Sequence, residues 1–283
     1  MLTVLEAVKL SADYLQKKGI ESPRLNAELL LAHLLNCKRL DLYLLFDRPL
    51  KEDEVALYRE LLKKRGSFVP LQYIIGNVEF YGLEFNVDSS VLIPRPETEL
   101  LVEAIIEENK NTNLKILDIG TGSGIIAITL AKSMDQPELF AIDISEAALE
   151  NATKNAIKNC VADRIKFLQL DVRNDLSLLK ESFDIIVSNP PYISKDEFPK
   201  LQTELRVFEP SIALTDYADG LSFFRIISEK AIRLLKNNGK LYFEIGKDQS
   251  DSVKKILEEN GFVNIRIKKD YQEIERVISG EKK

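Results

Sequence analysis

The sequence predicts a doubly wound, mostly parallel α/β sheet preceded by a small all-helical domain, on three observations. From Leu92 onward, short apolar runs alternate with helical patterns, as in successive βαβ units. Before about residue 66 only helical periodicity is present. Between the two, aromatic and β-branched residues punctuated by Gly76 and Gly82 suit a β-hairpin.

Leu2, Leu5, Val8 and Ala12 fall on one helical face, and Leu25–Leu35 and Glu52–Leu62 repeat the pattern, with breaks at Gly19, Pro23 and Pro49. The expected organisation is a helical domain over 1–68, a hairpin linker over 69–90 and a sheet domain over 91–283. Strands are expected at 115–119, 138–143, 165–170, 183–188 and 239–245, with one or two after 261. No internal repeat interrupts this order.

The chain has 283 residues, 45% hydrophobic and 30% charged, with a net charge of −6. Neutralised phosphates supply most of the affinity for duplex nucleic acid, and no basic cluster stands out, so no direct nucleic-acid partner is expected. Lys63-Lys64-Arg65 reads as a helix C-terminus. Cys37 and Cys160 do not make a disulfide framework, which suits a reducing cytoplasm. His33, the only histidine, reads as an ordinary helix position, and a zinc site is not expected. The apolar run Leu29–Leu35 is too short to span a bilayer, and a soluble monomer is expected.

Two motifs carry chemistry. Lys115–Ile119 runs into Gly120-Thr121-Gly122-Ser123-Gly124 and then into a helix. Glycines there permit a tight turn and a close approach of ligand to backbone. The dinucleotide fingerprint places its third glycine one residue later, so this spacing leans away from nicotinamide cofactors. The next strand ends at Asp143, the position that takes ribose hydroxyls in such folds, a helix N-cap being the plain alternative.

The second motif, Asn189-Pro190-Pro191-Tyr192, ends the apolar run Phe183–Ser188. It offers one amide, prolines without N–H and one ring, so acceptors outnumber donors and no charge is present. Such a pocket suits a planar –NH₂ group, although the tetrapeptide alone is more often a stiff loop. In a doubly wound sheet the first and fourth strands are neighbours, and ligands bind beyond their carboxyl ends. The glycine loop and Asn189–Tyr192 should therefore face one cleft.

With these residues the chain resembles the class I S-adenosylmethionine-dependent methyltransferases, specifically the protein-glutamine N5-methyltransferases that modify peptide chain release factors. The resemblance spans almost the whole length. It includes Pro70–Gly76, Glu79–Phe85, Ile93-Pro-Arg-Pro-Glu-Thr-Glu99, Glu209–Leu214, Asp219-Gly-Leu221 and Phe243-Glu-Ile-Gly246. Near the end, the family's glycine and aspartate are replaced by Glu273 and Glu275.

The resemblance implies a seven-stranded sheet, S-adenosylmethionine as cofactor and S-adenosylhomocysteine as product. The cofactor would lie over Gly120–Gly124 with its ribose at Asp143 and its adenine near Asp171 and Val172. Asp171 is equally a cap for the following turn. Asn189, which would also help to orient the cofactor's methyl end, and the Pro190 carbonyl would accept the two N–H bonds of an amide, with Pro191 and Tyr192 completing the acceptor site and Tyr192 stacked on the amide plane. The implied partner is a class 1 release factor, methylated at a Gly-Gly-Gln glutamine and docked by the helical domain. Rivals are a glutamine of a ribosomal large-subunit protein, the exocyclic amine of adenine, and a non-catalytic scaffold.

Arg95, Glu97 and Glu99 begin a helix or form a wall of the site; both readings stand. Glu244 reads as a solvated edge charge outside the site.

Overall fold

Thr3 starts the first helix by a reciprocal cap: its hydroxyl accepts from the Glu6 N–H, and the Glu6 carboxylate accepts from the Thr3 N–H. The computed structural model describes residues 2–174, 176 and 178–283, and the chain divides into two units. The first holds α1 (Val4–Lys17), α2 (Pro23–Leu34), α3 (Asp41–Leu44), α4 (Glu52–Gly66) and α5 (Leu71–Ile75). Leu15, Leu30 and Leu31 are fully buried at its centre, where the Tyr58 hydroxyl donates to the Ala27 carbonyl at 2.8 Å.

Residues Gln202–Phe208 also belong to this first unit. Their helix is held by Glu204, which takes the buried Arg65 guanidinium in a two-point pair, with N–O distances of 2.9 and 3.3 Å. Arg65 also donates to Asn26 Oδ1 at 2.7 Å. A linear boundary at residue 68 does not contain this return.

The second unit opens with the hairpin β1 (Asn77–Phe80) and β2 (Leu83–Asn86). The expected linker over 69–90 is therefore divided. Its first part is helix α5 of the helical unit, and its hairpin belongs to the sheet unit from Val78 onward. The cause is burial: Phe80 and Phe85 pack edge to face at 6.2 Å inside the sheet unit's core. Burial contributes roughly 1.5–3 kcal/mol for each such ring.

Then follow α6 (Glu97–Glu108), β3 (Lys115–Ile119), α7 (Ile125–Ser133), β4 (Glu138–Asp143), α8 (Glu146–Lys158), β5 (Ile165–Gln169) and β6 (Phe183–Ser188). After the returning helix α9 (Thr203–Phe208) come α10 (Ser211–Leu214), α11 (Ser222–Leu234), β7 (Leu235–Glu244), α12 (Ser250–Glu259), β8 (Phe262–Lys269) and β9 (Glu275–Lys282).

The seven strands are ordered β5-β4-β3-β6-β7-β9-β8, all parallel except β9, which runs antiparallel to both neighbours. This is the sheet the sequence predicts. Strand β7 begins at Leu235 rather than near 239, with a pairing irregularity between Phe183 and Ile185. Side chains alternate between two apolar layers. Tyr242 enters the layer with α6 and α7, while Leu241 and Phe243 enter the layer with α11 and α12. Among the described residues no helix is long and apolar enough to cross a membrane.

The departure near the C-terminus has a definite geometry. Asp270 accepts from the N–H groups of Gln272 and Ile274 and from Arg276 Nε, closing the turn between β8 and β9. Glu273 sits in that turn at φ +62°, the left-handed region that disfavours a Cβ. Its ion pair with Lys269, at 3.8 Å between exposed groups, offsets little. Glu273→Gly is therefore expected to raise unfolding stability by about 1 kcal/mol, read as a higher urea midpoint at unchanged slope. A lower midpoint would show that the turn carries no strain.

Candidate active site

The glycine loop follows β3 because the chain must reverse at once to place α7 on the sheet. Gly120 and Gly122 have φ of +73° and +56°, and a Cβ on either would meet nothing within 4 Å. Both line a cavity of about 290 Å³ beyond the carboxyl ends of the central strands. Gly124 serves packing instead: a Cβ there would lie 2.9 Å from Ile128 Cδ1 and 3.1 Å from Ala152 Cβ. Thr121 and Ser123 are buried and do not line the cavity.

The loop's donors are engaged internally. The N–H groups of Gly120 and Thr121 donate to the Ile142 carbonyl, that of Gly124 to the Thr121 carbonyl, and that of Gly122 to Asp143 Oδ2 at 2.9 Å. Beside the start of α7, where helix N–H groups favour negative charge, lies Asp118. That carboxyl is fully buried, its Oδ2 accepts from Thr121 Oγ1 at 2.7 Å while Oδ1 has no hydrogen-bond partner among the described residues, and burial pushes its pKa up to about 7. A phosphate cradle needs free N–H donors, and this loop presents a shaped, nearly donor-free surface.

Asp143 lines the cavity, and its second oxygen accepts from the Ser145 N–H; the N-cap of α8 is Ser145, whose hydroxyl accepts from the Ala148 N–H, and not Asp143. Asp171 and Val172 also line it. The Asp171 carboxylate accepts from the Arg173 N–H and pairs with its guanidinium at 2.9 Å, which holds its pKa below the usual carboxylate range. Ile144, Leu170, Val172 and Phe223 add an apolar slot. Open glycine faces, one carboxylate at the end of β4 and an apolar slot fit an uncharged-base nucleoside with no phosphate, the shape of S-adenosylmethionine.

Strands β3 and β6 pair with Ile119 opposite Ser188, and Ser188 Oγ donates to the Ile119 carbonyl at 2.7 Å. Gly120 and Asn189 are thus the next residues on adjacent strands, and both line the cavity with Pro190 and Pro191. Asn189 Nδ2 donates to Thr98 Oγ1 at 3.3 Å. Tyr192 is not part of the lining. Its hydroxyl lies 3.4 Å from Glu244 Oε1, its ring packs on the α11–α12 layer, and burial raises its pKa.

Glu244 corrects the expectation of a solvated edge charge. It is 2% exposed, accepts from Thr98 Oγ1 at 2.6 Å, and burial pushes its pKa up to about 7. Arg95 pairs with the buried Glu209, which also accepts from the Ile93 N–H at 3.0 Å and ties the Pro-Arg-Pro segment to Pro210, Ile212 and Ala213 of the cavity wall. Glu97 and Glu99 lie outside that wall: Glu97 approaches Arg276 at 3.7 Å, and Glu99 accepts from the Tyr81 N–H at 2.7 Å.

Two further supports had no signal in the sequence. Asn155 on α8 donates to the Ser123 carbonyl at 2.9 Å and accepts from the Asn86 N–H at 2.7 Å, joining glycine loop to hairpin. Gln249 accepts from the Gly246 N–H and donates to the Tyr192 carbonyl, each at 2.9 Å. Thr98, Glu209 and Glu244 lie inside stretches already marked as family pattern, where their company was the available clue.

Known proteins resemble this chain in sequence and in fold. Residues 6–76 match a family model described as the PrmC N-terminal domain, and residues 110–279 match a methyltransferase domain. A release factor glutamine methyltransferase of Rhodopirellula baltica is 39% identical over 99% of this chain and 96% of its own length. One from Fusobacterium nucleatum is 41% identical over 98% of this chain and 78% of its own. Among solved structures, a Pyrococcus furiosus methyltransferase has a TM-score of 0.54 at 16% identity, covering 72% of this chain and 90% of that one, a likeness of fold alone. A T. thermophilus 16S rRNA methyltransferase, solved with AdoMet and guanosine, has a TM-score of 0.51 at 20% identity, covering 73% of this chain and 50% of that one. The chain belongs to the release factor glutamine methyltransferase family.

Proposed function

We propose that this chain transfers a methyl group from S-adenosylmethionine to the side-chain amide nitrogen of the Gly-Gly-Gln glutamine of class 1 peptide chain release factors. The observation that carries this is the junction of Gly120 and Asn189 at one cavity, with Asn189 held by its amide nitrogen so that Oδ1 remains as an acceptor. When bound, the cofactor supplies an activated methyl group that needs only an aligned lone pair.

The residues divide the work. Gly120 to Gly124 shape the cofactor floor, Gly120 and Gly122 by direct approach and Thr121, Ser123 and Gly124 by fixing the turn. Asp143 takes ribose hydroxyls, and Asp171 and Val172 bound the base. An amide nitrogen is a poor nucleophile because its lone pair is delocalised. Accepting both of its N–H bonds, through Asn189 Oδ1 and the Pro190 carbonyl, orients it and stabilises the positive charge that develops, and one of the two protons passes to water once the nitrogen carries the methyl group. Pro191 stiffens the loop, and Tyr192, packed on the α11–α12 layer behind the cavity wall, anchors it. An ammonium group would bring a third donor and a desolvation cost of roughly several kcal/mol. Leu5, Leu40, Tyr43, Leu44 and Phe46, all more than half exposed on the helical unit, provide a surface for docking the release factor.

Mass spectrometry of a release factor incubated with enzyme and cofactor should find one added methyl on that glutamine. A methyl only on a ribosomal large-subunit protein, or on oligonucleotide adenine, would replace this reading.

Asn189→Ala is expected to lower kcat by about a hundredfold, and unchanged turnover would remove the pocket's proposed role. Gly122→Val, which fills the open face of the loop at an unfavourable φ, should weaken cofactor binding by at least about tenfold in calorimetry. Wild-type affinity in that variant would mean the cofactor does not lie on the loop.

A further inference from the structure

Behind Asn189 lies a buried chain of hydrogen bonds whose direction is determined at one end. Glu244, the last residue of β7, accepts from Thr98 Oγ1 at 2.6 Å and from the Tyr192 hydroxyl at 3.4 Å. Thr98, in the first turn of α6, is 1% exposed and accepts from Asn189 Nδ2 at 3.3 Å. A carboxylate can only accept, and a hydroxyl has one proton to give. With that proton committed to Glu244, Thr98 has only lone pairs left for Asn189.

An asparagine side chain turned by half a revolution exchanges its donor and acceptor with almost no change in shape. Packing alone therefore does not set which half faces the cavity; hydrogen-bond polarity does. We infer that Glu244 and Thr98 are positioning residues that fix the direction of the Asn189 carboxamide, so that its oxygen faces the acceptor amide. This rests on the proposed reading of the pocket as a glutamine site. Were the amide reversed, its –NH₂ would oppose the substrate's own N–H bonds.

The proton on Glu244 is the natural control, because a protonated carboxyl can donate to Thr98 and release its hydroxyl to donate to Asn189 Oδ1. Burial pushes this carboxyl up to about 7. The groups facing it are Thr98 and Glu97 from α6, Tyr192 from the loop after β6, and Arg276 from β9. Arg276 is itself bound to Asp270 at 3.0 Å and approaches Glu97 at 3.7 Å, and Arg95 is paired with Glu209. Raising the pH through about 7 should therefore raise kcat.

The test compares Thr98→Val, Thr98→Ser and Glu244→Gln with wild type in the full chain, using cofactor calorimetry, kcat on the release factor, and NMR. The two Asn189 side-chain amide signals are assigned by their absence in Asn189→Ala. Thr98→Val should lower kcat by about tenfold or more with cofactor affinity unchanged, and should shift the Asn189 signals. Thr98→Ser, which keeps the hydroxyl, should restore most of kcat and leave the signals in place. Glu244→Gln should flatten the rise of kcat with pH, and it carries the same readouts should Thr98→Val fail to fold.

The inference is overturned if Thr98→Val keeps wild-type kcat with unmoved Asn189 signals, or if Thr98→Ser is as impaired as Thr98→Val. A wild-type enzyme that leaves glutamine unmodified, with Asn189 signals that still move in Thr98→Val, would sink the substrate reading and retain the relay.

Discussion

The pairing of β3 with β6 is the constraint on which the site depends. Parallel neighbours this far apart in sequence are aligned by no turn, so only their side chains and ladder bonds set the register. Ile116, Leu117, Ile185, Ile186 and Val187 are at most 1% exposed, and they enter two apolar layers built by different helices. A slip of one residue would invert every one of them. It would also break the bond from Ser188 Oγ to the Ile119 carbonyl. The position of Asn189 against Gly120 is therefore backed by the stability of the whole core, and neither loop has to find the other by itself.

The electrostatics of the site follow from how completely its charges are matched. Asp171 is paired with Arg173, Glu209 with Arg95, and Asp143 is held by two backbone N–H groups. Asp118 is the exception, with one oxygen on the Thr121 hydroxyl and the other buried without a partner among the described residues, and burial favours its neutral form. What remains directed into the cavity is mostly shape and neutral acceptors. That composition favours an amide over an ammonium for a physical reason: a neutral acceptor pocket solvates two N–H bonds well and a full charge poorly.

The sheet and both loops were legible because their signals are local. An apolar run, glycines at 120, 122 and 124, and Asn-Pro-Pro-Tyr each lie within a dozen residues, and doubly wound topology supplies the rest. The supports were not legible because each is a polar residue whose partner is remote. Thr98 and Glu244 are 146 positions apart, Asn189 and Thr98 are 91 apart, and Arg65 and Glu204 are 139 apart. A glutamate closing a strand looks the same in sequence whether water or a threonine receives it. Helix α9, six residues long, is too short for any periodicity to reveal that it returns to the helical unit.

A planar –NH₂ pocket by itself does not separate glutamine from adenine, since both present two in-plane N–H bonds to the same acceptors. The surroundings have to do so. Beside the site, Glu97, Glu99, Glu103 and Asp270 line a second hollow of about 330 Å³, with Tyr271 at its edge. Glu97 is close enough to raise the pKa of both Tyr192 and Glu244, so this acidic rim borders the acceptor loop. A base flipped out of a nucleic acid brings flanking phosphates with it, and the cations beside this hollow are already committed, Arg276 to Asp270 and Glu97, and Lys268 to Glu103. A glutamine carried on a polypeptide loop brings no such charge. On the proposed reading, the pocket takes an uncharged –NH₂ and a protein loop carries it there.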